Sequence, residues 1–156
     1  MNIERQLAVL DLNARYAEAI DDGRLEEWPD FFTDHGRYRV TTAENVAQNL
    51  PLSLIYATSR AMLRDRVKAL REANIYEAQR YRHMLGPSRI EPAEQGVLRA
   101  RTSFMVARIM HTGETTLFAT GSYHDMVVLD GETARFAERT VILDSRQIDT
   151  LLAIPL

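Results

Sequence analysis

Four histidines, His35, His83, His111 and His124, carry most of what this chain could use for proton transfer or metal binding. A non-haem iron triad needs two imidazoles and a carboxylate converging on one point. No two of these histidines share a helical spacing, and His111 and His124 fall at or in expected strands. Each therefore reads first as a hydrogen-bonded structural imidazole. The other chemistry open to them is acid–base. His83 could pair with Asp34 or Asp125, with Tyr16 or Tyr81 as polarising donor. The stretch "RYRHMLGPSRI" (80–90) sets His83 among Arg80, Arg82, Arg89, Tyr81, Met84 and Leu85 with no clean period. It fits a catalytic loop, an anion site or a contact edge, and the mixture of arginine, tyrosine and apolar bulk favours the contact edge. There is no nucleophile elbow, phosphate loop or dinucleotide fingerprint.

These residues must be positioned by elements legible from pattern. Residues 3–22 are expected to form an amphipathic helix capped by Asn2 and stopped at Gly23. Its apolar stripe is read as Ile3, Leu7, Leu10, Ala14 and Ala17. Leu25, Trp28, Phe31 and Phe32 predict a short second helix with Pro29 near its start, and a core aromatic cluster. "GRYRVTT" (36–42) reads as a strand and residues 43–53 as a loop. A third helix is expected over 59–73, with Leu63, Val67 and Leu70 facing inward. Arg60, Arg64, Lys68 and Arg71 form a neighbouring basic face that the helix itself neutralises poorly. Gly86-Pro87 is read as a turn.

The second half changes to long β-rich stretches separated by "HTGE" and by Asp130-Gly131, a hairpin signal. Met105, Met110 and Met126 are expected to fill core gaps. "TLLAIPL" (150–156) reads as a last strand or apolar tail. Helices followed by a meander mean α+β. A curved antiparallel sheet with helices on one face means a cystatin-like (nuclear-transport-factor-like) cone, as one domain over residues 1–156. Such a cone serves either as a small enzyme with an internal pocket or as a scaffold.

Bulk composition excludes several classes. A net charge of −3 argues against non-specific nucleic-acid binding. The absence of cysteine removes disulfides, zinc fingers and cysteine-ligated iron–sulfur clusters. "MNIERQLAVL" lacks the basic head and apolar run of a signal peptide, and no apolar run reaches membrane-spanning length, so a soluble cytoplasmic chain is expected.

"NLPLSLIYATSRAMLRDRVKALREANIYEAQRYRHMLGPSRI" resembles the middle of the small, or beta, subunits of Rieske aromatic-ring-hydroxylating dioxygenases. The carrying features are Leu54 to Tyr56, the helix motif from Met62 to Arg71, and Arg80 to His83. "DDGRLEEWPDFFTDHGRYRVT" is similar to the family's N-terminal signature. The resemblance implies a cone-fold structural subunit with no catalytic, cofactor-binding or metal residue of its own. It implies a large alpha subunit that holds a Rieske 2Fe-2S cluster and mononuclear Fe(II) and cis-dihydroxylates an aromatic acid. It further implies a separate reductase drawing on NADH or NADPH, and assembly as three large and three small chains, the small ones forming a trimer. The alternative left by the residues alone is a stand-alone cone-fold dehydratase or isomerase with a His/Asp pair.

Overall fold

The computed structural model describes residues 2–73, 78–147 and 152–156. Helix α1 (Ile3–Asp21) starts where expected, with the Asn2 side chain accepting from the Arg5 amide at 3.1 Å. It ends before Gly23, which takes φ +75°, a conformation open to glycine. A 3₁₀ segment (Leu25–Phe31) holds Pro29 in its second half, not at its start. Strand β1 (Phe32–Thr42) begins four residues earlier than the sequence pattern indicated. The stretch read as a loop contains a short helix α2 (Ala43–Ala47), because the Thr42 hydroxyl caps the Asn45 amide. Then come β2 (Ile55–Ala57), α3 (Arg60–Ala73), β3 (Gln79–Pro92), β4 (Leu98–Met110), β5 (Thr115–Asp130) and β6 (Thr133–Leu143).

The strands form one six-stranded sheet in the order β2-β1-β6-β5-β4-β3. The meander is antiparallel as expected, but β1 joins β6 in parallel, so the sheet is mixed. Asp130-Gly131 does turn the β5–β6 hairpin, with Gly131 at φ +63°. Gly86-Pro87 makes no turn. It lies within β3 at a register shift between Leu85 and Ser88, where proline costs no ladder bond that the irregularity has not already broken. "RYRHM" is therefore ordinary strand. Tyr81 and His83 point inward, and Arg80, Arg82 and Met84 point out on an edge strand.

The helices cover the concave face. The inward face of α1 is Val9, Leu12, Asn13, Tyr16, Ala19 and Ile20, joined by Ala17 from the expected stripe. The rest of that stripe is outside: Ile3, Leu7 and Leu10 are 69%, 56% and 43% exposed, and Ala14 is exposed. The α3 stripe is as read, with Leu63 and Val67 buried and Leu70 packed against the core. Its basic face is better neutralised than the helix alone allows. From outside the helix, Asp34 meets Arg60 at 2.8 Å, Glu26 meets Arg71 at 2.8 Å and Asp30 lies 3.9 Å from Arg64, while among the described residues Lys68 has only Glu72 of its own helix, at 4.0 Å. Trp28, Phe31 and Phe32 are core, whereas Met105 is on the outer face and about half exposed.

Residues 152–156 form no strand. They run into the concavity, with Leu152, Ile154 and Leu156 in the hydrophobic core. The preceding Thr150 and Leu151 of the expected tail lie outside the described residues.

Gly121 on β5 has no room for a side chain between its neighbouring strands β6 and β4. A Cβ there would collide with the Ile142 carbonyl oxygen and meet the Phe104 ring at 3.1 Å. Backbone cannot yield as a side chain does, so Gly121→Ala should destabilise by about 2–3 kcal/mol. Urea denaturation checks this, with Gly86→Ala, whose nearest contact is 3.4 Å, as a milder control.

Candidate functional site

The central ion pair of the concavity and its hydrogen-bonded partners come from α1, β3, β4, β5 and β6. At the centre Arg139 of β6 is fully buried. Its Nε and Nη2 donate to Asp125 on β5 at 2.9 and 2.8 Å, and Nη2 also donates to the Asn13 side-chain oxygen on α1. Asn13 in turn reaches Thr102 on β4 and Ser88 on β3, each at 3.4 Å, and those two hydroxyls meet at 2.6 Å. The guanidinium carbon sits 3.7 Å from the Tyr123 ring centroid, 4.0 Å from Phe136 and 4.4 Å from Tyr16. Desolvated cation–π contacts of this kind are worth roughly 2 kcal/mol or more. Burial alone would lower the Arg139 pKa, but the Asp125 carboxylate outweighs it and holds the group firmly charged.

Three phenols face the incoming segment. Tyr16 donates to the Leu156 carbonyl at 2.8 Å while accepting from the Trp28 indole at 3.1 Å. Tyr38 donates to the same carbonyl at 3.0 Å and accepts from the Leu156 amide at 3.1 Å. Tyr81 donates to the Ile154 carbonyl at 3.3 Å. Burial pushes the Tyr38 and Tyr123 phenols well above their usual range, and raises Tyr16 despite the opposing charge of Arg139. Tyr16, Tyr38 and Tyr123 are therefore neutral at neutral pH.

His83 does find a carboxylate, but neither of the two the sequence offered. Its Nδ1 is 2.6 Å from Asp21 Oδ1, and its amide donates to Asp21 Oδ2 at 2.8 Å. Asp34 is exposed and serves Arg60, while Asp125 serves Arg139. A carboxylate on Nδ1 orients an imidazole as a base would require. Here, however, the His83 side chain is wholly buried and Nε2 has no hydrogen-bond partner. The pair acts as a joint between the end of α1 and edge strand β3. His35 and His111 are exposed, and His124 is on the outer sheet face, where burial and then Arg101 lower its pKa. The four imidazoles do not converge. Among the described residues no cluster of three or more His, Cys, Asp or Glu could hold a metal ion. A Rieske centre also needs cysteine thiolates, which this chain lacks.

Sequence reasoning missed Asp21 and Arg139. Asp21 carried a signal, since it follows Ile20 on what proved to be the buried face of α1. Arg139 carried a misleading one, since simple alternation from the buried Phe136 would turn it outward.

The sequence matches the family model described as "ring hydroxylating beta subunit" over residues 15–150. The chain belongs to this family. It is 47% identical over 152 residues to the terephthalate 1,2-dioxygenase terminal oxygenase component subunit beta 1 of a Comamonas species, covering 97% of this chain and 98% of that one. It is 37% identical over 145 residues to the anthranilate 1,2-dioxygenase small subunit of Burkholderia cepacia, covering 93% and 90%. Among solved structures, an aromatic-ring-hydroxylating dioxygenase beta subunit from Novosphingobium aromaticivorans superposes with a TM-score of 0.88 at 40% identity, covering 97% of each chain. The beta-subunit fold is thus the α+β cone expected from the sequence.

The beta subunit's central ion pair should behave as a unit. Arg139→Met alone leaves Asp125 buried and uncompensated, and should cost about 3–5 kcal/mol. Adding Asp125→Leu should recover most of that loss. A double-mutant cycle by urea denaturation measures the coupling, and simple additivity would show that the pair is not a unit.

Proposed function

We propose that this chain is the structural beta subunit of a multicomponent Rieske non-haem iron dioxygenase, folded as one cone over residues 1–156, with no catalytic, cofactor-binding or metal-ligating residue of its own. The observation that carries this reading is the filled concavity. Residues 152–156 occupy the place where a cone-fold enzyme would hold a substrate, and their backbone uses the three phenols that could polarise one. Family membership supports the same reading over the dehydratase or isomerase alternative.

The complex acts on an aromatic carboxylic acid, with terephthalate favoured by the 47% identity to a subunit of that name. The stretches "LREANIYEAQRYRHMLG" and "FMVARIMHTGETTLFATGSYHD" and the ending "DTLLAIPL" carry the same narrower likeness. Cis-dihydroxylation takes place in the large alpha subunit, which holds the Rieske 2Fe-2S cluster and the mononuclear Fe(II). A reductase supplies electrons from NADH or NADPH. The small chain associates with the large one and with itself, as a trimer within a complex of three and three. Exposed Leu52, Leu54 and Tyr56, each more than half accessible, are apolar surface of the kind that an obligate partner buries. The location is cytoplasmic, with no nucleic-acid or membrane partner. No described helix is long and apolar enough to cross a membrane.

Two outcomes test this. The purified chain alone should be colourless and hold no iron by metal analysis; stoichiometric iron in it would count against the reading. In the co-expressed complex, His83→Ala should weaken stability by about 1–2 kcal/mol through the lost Asp21 contact. Turnover per bound iron should stay within a few-fold of the parent. General acid–base catalysis is worth about 10²–10⁴-fold, so a hundredfold loss at normal assembly and iron content would make His83 a working base.

A further inference from the structure

Helix α1 has a second apolar face. Ile3, Leu7, Leu10 and Ala14 lie opposite its buried side, and Glu4, Asp11 and Glu18 run beside them at a seven-residue spacing. Within the chain Arg15 neutralises Asp11, and Glu4 and Glu18 face solvent. A helix with an exposed apolar stripe and an acidic border is built to lie on an apolar, basic surface.

The convex face of the sheet is such a surface. Strand register puts Arg89, Arg101, His124, Thr140, Arg39 and Tyr56 in one row across all six strands, pointing away from the helices. Arg39 bonds to Ser53, and Arg89 and Arg101 meet no carboxylate among the described residues. Two pleats from Arg101, the paired Met84 and Met105 stand exposed on the same face. Dimensions agree as well: 19 residues of helix extend about 28 Å, and six strands span about 24 Å.

We infer that the outer face of α1 in one copy of this chain docks across the Arg89–Arg101–Arg39 row of the next copy, its leucine stripe on Met84 and Met105. This rests on the subunit reading above and names the faces that meet. Within one chain the two surfaces are on opposite sides of the sheet, so the contact is head-to-tail. Such a contact closes only as a ring, which is what a trimer requires.

The absence of cysteine makes the test direct. Leu7→Cys and Ser103→Cys in one chain place two thiols on the two faces, too far apart to join within it. A short bis-maleimide applied to the co-expressed complex should give covalent small-chain trimers from the double variant, and neither single variant should go beyond a dimer. In parallel, Arg101→Glu should weaken small-chain self-association at least tenfold by light scattering, and adding Glu18→Arg should recover it. Circular dichroism confirms folding of these surface variants. A complex that assembles normally but yields no covalent trimer overturns the inference and leaves the subunit reading standing. So does an Arg101→Glu chain that keeps its self-association yet loses the large subunit, which would assign the basic row to that partner. A parent chain that neither self-associates nor captures the large subunit sinks both.

Discussion

A permanently charged guanidinium at the centre of the core constrains almost everything else in this molecule. An uncompensated buried charge costs several kcal/mol, so Arg139 can be inside only if its partners arrive with it. Asp125 does so because the β5–β6 register sets it directly opposite. Asn13 brings α1 to the same point, and its amide extends the network through Thr102 to Ser88. One charge therefore ties the helix to four adjacent strands. Slipping any of those strands by one residue would turn its polar partner outward and leave the charge alone. The three surrounding rings supply packing that a water-filled site could not.

The same economy governs the mouth of the cone. Buried phenols need partners, and Tyr16, Tyr38 and Tyr81 obtain them from the carbonyls of residues 154 and 156. The segment supplies bulk as well, with Leu156 fully buried. A fold that could enclose a ligand thus encloses its own backbone. The His83–Asp21 pair fits that picture as a fastening between α1 and an edge strand. Its imidazole has the orientation of a base but no route to a substrate.

With the interior occupied, the remaining capacity for interaction is on the surface. The chain spreads apolar side chains over the outer face of α1, the stretch from Leu50 to Tyr56, and the convex sheet. Exposed apolar area on this scale is unusual for a chain that works alone and ordinary for one that works in a complex.

Several features could be read without a structure. The limits of α1 followed from Asn2 and Gly23, the inward stripe of α3 from Leu63 and Val67, and the β5–β6 hairpin from Asp130-Gly131. Local rules suffice there, because caps, turns and periodicity act within a few residues. The lack of cysteine likewise bears on iron–sulfur ligation whatever the fold. Other features were settled only by tertiary contact. Helix α1 has apolar residues on two faces, and its own sequence does not say which one meets the sheet; the sheet chose Val9, Leu12 and Tyr16 and left Ile3, Leu7 and Leu10 outside. Arg139 is out of phase with Phe136 by simple alternation, and both point inward because an extra residue at Ala137 shifts the β5–β6 register. Asp21 lies 62 residues from His83, so the choice of Asp21 over Asp34 or Asp125 depended on where α1 ends against β3. A bulge or a long-range pairing is selected by the energy of the whole packed core, and no window of sequence contains that.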